Sequence, residues 1–377
     1  PIVGGHDGRF RLWHRCDAVD LATRRHSDPT QRKGGQTVTF SRSQKRGLVG
    51  ASLLALILIG MGLVASYFGS RYQLRIVYGA YVNLMVVLAL QVFMGNARIT
   101  NLSHSAFMGI GAYVAAICVT PVAMKAISLP NAPWGLSTFA LDPITSALIA
   151  LFLTGLFAVL VGLFIVRLSG TGATIVSLAL LVIVHSIFLY RTDIFKGNQA
   201  FFGIPQVFTL ASAVTLAVLM VFIVRGFRES CWGIALRASA DDEVGAASMG
   251  VNFFRLRLIA WVLSGILLGV AGIAYAYYLG TISARPFYFN HVFLTLAMLI
   301  LGGMRTVTGA VLGTFLISFG LEWVRWLETG PEVLGIDLPE VLGLSGVTLG
   351  AVIVLTMALR PGGIMGDREI EELVLKK

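Results

Sequence analysis

Three polar side chains occur side by side in the stretch from Gly95 to Tyr113, GNARITNLSHSAFMGIGAY, between two apolar segments. Ser103, His104 and Ser105 can each donate and accept hydrogen bonds. Non-helical backbone persists at membrane depth only where it is buried in protein or lines a water-filled cavity. The stretch therefore has two interpretations: a broken segment beside a path for a polar molecule, or a plain turn between two helices.

Asn83 and His185 stand alone inside apolar segments. Polar groups within membrane helices usually face the interior of the bundle, so both residues are candidates for lining the same path. For His185, a hydrogen bond between two helices is an equally good interpretation. The sequence shows no catalytic constellation, no phosphate loop that would bind ATP, and no ligand spacing typical of a metal site. We expect neither catalysis nor a cofactor or metal in this chain.

The composition indicates which class of protein holds these residues. The chain has 377 residues, of which 56% are hydrophobic and 13% charged, and its mean hydropathy is +0.81. Ordinary soluble domains contain about 45–50% apolar and about 25% charged residues, and disordered chains are poor in apolar residues. Three scattered cysteines do not make a disulfide framework. A membrane protein that crosses the bilayer several times is the remaining class.

Apolar segments recur along the whole chain after residue 46. We predict an all-α, polytopic transmembrane helix bundle with about 8–10 membrane segments, because about 20 residues cross a bilayer. Segments 105–121, 291–304 and 345–359 are short or glycine-broken and fit a full span least well. The candidate segments are 47–68, 76–94, 105–121, 143–166, 172–190, 207–224, 258–278, 291–304, 308–326 and 345–359.

Lys and Arg are distributed unevenly over this map. If the N-terminus is cytoplasmic, 22 of the 29 lie in cytoplasmic stretches. Basic residues are retained on the cytoplasmic side of membrane proteins, so the net charge of +10 indicates topology rather than a nucleic-acid partner. We predict cytoplasmic termini, a flexible basic tail over 1–46, a transmembrane domain over 47–366 and a charged cytoplasmic tail over 367–377.

The longest predicted cytoplasmic loop, 225–257, contains the pattern of a short helix over 239–250. Ser239 or Asp241 can cap its start, and Gly250 can end it. Its surface is nearly free of large side chains, and its apolar face is too small to hold it on a membrane. We therefore expect it to dock in a groove of another protein. The residues assigned to this contact are Arg237, Glu243, Gly245, Ala246, Ala247 and Gly250.

A second glycine-interrupted stretch, LGGMRTVTGAVLG, runs from Leu301 to Gly313. Interrupted segments at corresponding places in two halves of a membrane protein indicate a transport site. Because this stretch and the one from Gly95 to Tyr113 share no visible sequence, an internal repeat stays a hypothesis.

Four stretches together resemble a known family. NLSHSAFMGIGAYVAA, KGNQAFFGIP, the loop GIALRASADDEVGAASMGVNFFRLR with the span after it, and LGGMRTVTGAVLG follow one another from about residue 50 to 366. The inner-membrane permeases of branched-chain amino-acid ABC importers, the LivM-like group, have similar stretches in the same order. Ser103, residues 170–174 and residues 198–199 depart from that family's pattern, which leaves urea, amides and other small polar solutes open.

The resemblance implies a multi-pass permease subunit in the bacterial inner membrane that forms the path for branched-chain amino acids or a related small polar solute. It also implies a second permease subunit, two ATP-binding subunits that hold ATP and Mg, a periplasmic substrate-binding protein and membrane lipid as partners. An ion-coupled secondary transporter is the other hypothesis. Such proteins usually hold carboxylates at mid-membrane, and no predicted span has a central Asp or Glu.

Overall fold

The structure is a computed structural model that describes residues 42–130, 133–168, 170–330, 332–333, 336–337, 343–360, 362–366 and 368–374. The chain divides into one unit that ends at Lys45 and a second that begins at Arg46. Nearly all of the predicted tail 1–46 lies outside the described residues, although the first helix already begins at Arg42.

Helices account for most of the described residues, and seven of these helices are long and apolar enough to cross a membrane. In the same described residues, four two-residue strands form two antiparallel pairs. The elements are α1 (Arg42–Phe68), α2 (Arg71–Ala97), α3 (His104–Val119), α4 (Val122–Ser128), α5 (Pro143–Ile165), α6 (Gly170–Tyr190), α7 (Thr192–Phe195), β1 (Phe201–Phe202), α8 (Leu210–Glu229), α9 (Cys231–Asp241), α10 (Glu243–Ser248), α11 (Phe253–Leu279), β2 (Thr281–Ile282), α12 (Phe289–Gly302), α13 (Val307–Glu328), β3 (Glu332–Val333), β4 (Ile336–Asp337), α14 (Leu344–Leu359) and α15 (Ile370–Val374).

The predicted all-α bundle is confirmed, and each of the ten apolar segments coincides with a helix. The three that fitted a full span least well are the irregular ones. α3 and α4 are bent by 119° at the break between them, the geometry of a broken span or a re-entrant loop, while α12 and α14 are shorter apolar helices. Pro121 explains the bend, because it lacks an N–H donor and holds Thr120 before it in an extended conformation.

Helices α2 and α11 form the centre of the bundle. α11 packs against α2, α3 and α5, and the α2 run from Leu84 to Phe93 is almost completely buried. Glycine brings α3 and α11 close together: Gly111 lies against the backbone of Gly269, and Gly272 lies against the carbonyl oxygen of Met108. Small residues drive such contacts in membranes because they let two backbones approach and pack tightly.

The helix ends collect on two faces, separated by the 27 residues of α2. On one face, Arg98 forms an ion pair with Asp241. On the other, which we call the strand face, β1 pairs with β2 and Tyr72 donates to Glu322. We call the first the arginine-rich face; it has Arg98, Arg225, Arg228, Arg237, Arg257 and Arg305.

The predicted C-terminal tail 367–377 is described over 368–374, where it packs against the arginine-rich face. Glu369 and Glu371 of this segment are buried. Just before it, the Ile364 and Met365 N–H groups donate to the carbonyl oxygens of Leu301 and Gly302 at 2.9 and 3.1 Å. The end of the chain is therefore joined to the turn between α12 and α13.

The close contact between α3 and α11 predicts that one added methyl group at Gly272 lowers the stability of the protein. In Gly272→Ala the new methyl overlaps the Met108 carbonyl oxygen and lies 2.9 Å from the Ala112 nitrogen. We expect a loss of about 1–3 kcal/mol in stability from overpacking, measured as a lower melting temperature of the detergent-purified protein. Gly60→Ala is the control, since its methyl meets nothing within 4 Å. Equal melting of both variants would contradict the close contact.

Candidate functional site

The segment from residue 98 to 103 connects α2 and α3 without helical structure and enters the bundle. The Leu102 N–H donates to Ser177 Oγ at 3.1 Å, and Thr174 Oγ1 donates to the Thr100 carbonyl oxygen at 3.4 Å. Ser177 lies seven residues, or about 10 Å, from the start of α6. The geometry therefore matches the broken segment of the two sequence interpretations and not the plain turn.

His104 begins α3 with both ring nitrogens bonded. Its Nδ1 lies 3.1 Å from the carbonyl oxygen of Asn101, and its Nε2 lies 2.7 Å from Thr295 Oγ1 on α12. A carbonyl oxygen only accepts, so Nδ1 donates. The Nε2 of a neutral ring then accepts from the Thr295 hydroxyl, whose one proton is shared with the His291 carbonyl oxygen 2.8 Å away. Because both nitrogens have partners within the chain, His104 joins the broken segment to α12.

The two serines beside His104 have different partners. Ser103 donates from its backbone N–H and its hydroxyl to Asn101 Oδ1, at 2.9 and 2.7 Å. Ser105 Oγ lies 3.0 Å from His291 Nδ1 on α12. These residues form what we call the polar cluster, which is uncharged while its histidines are neutral: Asn101, Ser103, His104, Ser105, His291 and Thr295.

Aromatic rings pack along α3 towards the strand face. Gly109 leaves room for Phe188 and Phe287, which contact the position where a side chain would start. Tyr113, one turn further, has its ring 4.8 Å from that of Phe188. Its buried hydroxyl has no hydrogen-bond partner among the described residues. We call this group the aromatic cluster; its members are Tyr113, His185, Phe188, Phe195, Tyr275, Phe287 and Tyr288.

His185 belongs to the aromatic cluster because its ring stacks on Tyr288, with 3.9 Å between ring centroids. Its Nδ1 is buried without a hydrogen-bond partner in the described part of the chain, so neither a helix–helix bond through that atom nor a bonded pair with Ser105 is formed. Asn83 lies elsewhere, half-buried on α2. The structure thus groups Ser103, His104 and Ser105, stacks His185 on Tyr288, and has Asn83 on α2.

Sequence reasoning missed His291, Thr295 and Asn101. His291 and Thr295 are four residues apart in the apolar helix α12, so they lie on one helical face. That spacing of two polar residues in a short apolar helix is the signal that could have found them. Asn101 could have been found as a residue that often bonds to nearby backbone in non-helical segments.

The predicted docking helix is correct at its end and wrong at its start. Ser239 and Asp241 belong to α9, and a separate helix, α10, follows it. Asp242 is the cap, since its Oδ1 accepts from the N–H groups of Val244 and Gly245, both at 3.0 Å. The hydroxyl of Ser239 is already used within α9, which explains why it does not cap α10.

Gly250 ends α10 as predicted. Its φ is +78°, and its N–H donates to the carbonyl oxygen of Ala247 at 2.9 Å, while the Val251 N–H donates to that of Ala246 at 3.1 Å. This pair of bonds is a Schellman motif, which requires a left-handed residue that glycine adopts without strain.

Helix α10 is held on the arginine-rich face and exposes small and apolar side chains. Glu243 forms an ion pair with Arg257 at the start of α11. Val244 and Met249 are 81% and 71% exposed. Ala247 is exposed, whereas Gly245 and Ala246 are half-buried. The exposed surface of α10 is therefore largely apolar and carries little bulk near its middle.

Arg237 points into the bundle. Its Nη1 donates to Asn96 Oδ1 at 3.1 Å and to the Arg228 carbonyl oxygen at 2.8 Å. Burial lowers the pKa of Arg237, and the charge of Arg228 lowers it further. The side chain thus ties α9 to the ends of α2 and α8, which makes α9 and α10 a rigid extension of the bundle.

Residues 72–357 match the family model of the branched-chain amino acid transport system permease component. The chain belongs to this family. It is a multi-pass membrane protein and a permease subunit of an ATP-binding-cassette importer. Importers of this family work with ATPase and binding-protein components. The family is a transport component rather than a catalytic one.

Several characterised permeases are similar to the chain. The high-affinity branched-chain amino acid permease protein LivM of Escherichia coli is 24% identical over 347 residues, covering 83% of this chain and 74% of LivM. A probable branched-chain amino acid permease, LivH of Methanocaldococcus jannaschii, is 24% identical and covers 76% of this chain and 90% of its own. The autoinducer 2 import permease LsrC of Yersinia pseudotuberculosis is 21% identical, covering 74% and 77%. No solved structure matches.

The permease family match includes the polar cluster, the aromatic cluster and α10, but it ends before the buried segment 368–374. The match therefore covers α10 but not Glu369 or Glu371.

Because His104 bonds to Thr295, removing the Thr295 hydroxyl should destabilise the protein more than removing a hydroxyl that bonds only within its own helix. In Thr295→Val, the buried Nε2 of His104 loses its partner, which costs about 1–3 kcal/mol, so the purified permease should melt at a lower temperature. Thr314→Val is the matched control, because the Thr314 hydroxyl bonds only to a carbonyl of its own helix. If the two variants melted alike, the bond would contribute nothing measurable.

Proposed function

We propose that this permease carries branched-chain amino acids across the bacterial inner membrane and that α10 couples the bundle to cytoplasmic ATPases. The proposed coupling rests on helix α10, which is exposed and is attached to the bundle. Glu243 of α10 forms an ion pair with Arg257 of α11, and Arg237 bonds the preceding helix α9 to α2, so a force on α10 reaches the membrane helices. Its exposed Val244, Ala247 and Met249 suit an apolar groove.

The proposed path follows one face of α3. Ser105, Gly109 and Tyr113 are spaced by one helical turn each, so they line up on that face. This face has a hydroxyl at Ser105, no side chain at Gly109 and an aromatic ring at Tyr113. Phe188 and Phe287 fill the space at Gly109, which makes the aromatic cluster a closed gate on the side of the strand face.

The chemistry of this face supports a small solute with polar ends and an apolar side chain. Neutral imidazole and hydroxyl groups can bond to both a carboxylate and an ammonium group. Because they are uncharged, they favour neither a net positive nor a net negative solute. Aromatic rings next to them favour an apolar side chain. Branched-chain amino acids have this combination, whereas urea and simple amides lack the apolar part.

The partners follow from the two faces. We propose that both termini are cytoplasmic, so the arginine-rich face meets two ATP-binding subunits, which bind ATP and Mg. The strand face then meets a periplasmic substrate-binding protein, and a second permease subunit completes the membrane part. The excess of Lys and Arg in the stretches assigned to the cytoplasm supports this orientation.

The orientation predicts the accessibility of two exposed positions. In a background without native cysteines, Ala200→Cys near β1 should react with a membrane-impermeant maleimide added to spheroplasts. Ser248→Cys in α10 should react only after the cells are opened, because α10 faces the cytoplasm. Labelling of both from the same side would overturn the proposed topology.

The coupling role of α10 is tested with Ala247→Trp. Ala247 is exposed, so the tryptophan leaves the bundle intact and clashes with a docked ATPase. Overpacking a close contact costs about 1–3 kcal/mol, and about 1.4 kcal/mol is tenfold in an equilibrium. We expect about tenfold less ATPase to co-purify with the permease.

Ala200→Trp, an exposed alanine near the strand face, is the control and should retain the ATPases. Equal recovery of ATPase with the Ala247→Trp variant, together with unchanged uptake, would contradict docking at α10.

A further inference from the structure

Four charged side chains are packed together at the arginine-rich face. Arg225 is 2% exposed, and Glu369 and Glu371 are 4% and 6% exposed. Arg225 forms ion pairs with both glutamates, at 3.1 Å between Nη1 and Glu369 Oε1. Arg228 forms a further ion pair with Glu369. Arg228 also lies 3.8 Å from Glu229, so the two arginines are paired with carboxylates where water is largely excluded.

Glu369 also caps the start of α13. Its Oε1 accepts from the Val307 N–H at 3.0 Å, and its Oε2 accepts from the N–H and the hydroxyl of Thr308 at 3.1 and 2.6 Å. A carboxylate at a helix N-terminus is favoured by the helix dipole. One side chain thus joins the start of α13 to the end of α8.

The chain of contacts continues to the docking helices. The carbonyl oxygen of Arg228, whose side chain bonds to Glu369, accepts from Arg237 on α9. On the other side, α13 packs closely against α12 through Gly309 and Gly302, and α12 carries the residues of the polar cluster. Glu369 therefore lies between the docking helices and α12, which bonds to the path-lining helix α3 through His104 and Thr295.

We propose that Glu369 is a positioning residue that transmits movement of α9 and α10 to α12 and α13. This inference rests on the proposed function and extends it to a segment outside the family match. Without its charge, α8 and α13 lose the ion pairs that make them move together. ATP hydrolysis then continues, but the helices along the path no longer change conformation with it.

The test uses the complete importer, with both ATPases and the binding protein, in proteoliposomes. Uptake of radiolabelled leucine and leucine-stimulated ATP hydrolysis are measured together, and their ratio gives the solute carried per ATP. Glu369→Gln keeps the shape but removes the charge, and its amide nitrogen replaces one of the two oxygens that accept bonds from α13. We expect hydrolysis to persist and the ratio to fall about tenfold, the change expected when one charge-assisted hydrogen bond is lost.

Glu372→Gln is the control, because Glu372 is exposed on the same short helix, and its ratio should equal that of the wild type. Thr308→Val is a milder second variant that removes the hydroxyl bond to Glu369 and the bond that the hydroxyl accepts from the Ile370 N–H, and its ratio should fall about threefold. This variant keeps the test valid if Glu369→Gln does not fold.

An unchanged ratio in the variants that fold would overturn the inference, even if the yield of folded importer were lower, because a merely structural role lowers uptake and hydrolysis together. Failure of the wild-type permease to retain the ATPases would overturn both the proposed function and this inference. Coupled wild-type uptake with an unaffected Glu369→Gln ratio would overturn this inference alone.

Discussion

A helix that is interrupted within a membrane leaves backbone groups that lipid cannot satisfy, and this constraint shapes the bundle at two places. At the first, the segment 98–103 obtains its partners from α6: Ser177 accepts from the Leu102 N–H, and Thr174 donates to the Thr100 carbonyl. α3 can therefore begin inside the bundle. That start places His104 and Ser105 against α12, where they bond to Thr295 and His291.

The second interruption, between α12 and α13, is satisfied by the end of the chain. Ile364 and Met365 donate to carbonyl oxygens at the end of α12, and Glu369 accepts from the first N–H groups of α13. The same segment binds the arginines at the end of α8. Both interruptions therefore hold α12 in place, one from each end, and α12 is the helix that shares the polar cluster with α3.

Much of the architecture follows from local pattern. Hydropathy over windows of about 20 residues located the helices, and a short or glycine-broken apolar run marked each irregular span. Gly250 was predictable as a helix end because a left-handed residue favours glycine. The cap of α10 was not, because Ser239, Asp241 and Asp242 are all suitable by type. The geometry selects Asp242, whose oxygen reaches two free N–H groups.

Residue type and period were enough to establish a polytopic membrane protein, its helices and the small residues of α10, since these depend on neighbours close in the chain. Contacts in the site depend on helix rotation and depth, which packing sets. His104 and Thr295 are 191 residues apart, and Glu369 and Thr308 are 61 apart. By type alone Asn83 was as good a candidate as Ser105, yet α2 holds Asn83 outside the polar cluster. Such pairings arise only when the helices pack, because a hydrogen bond needs both partners within about 3 Å.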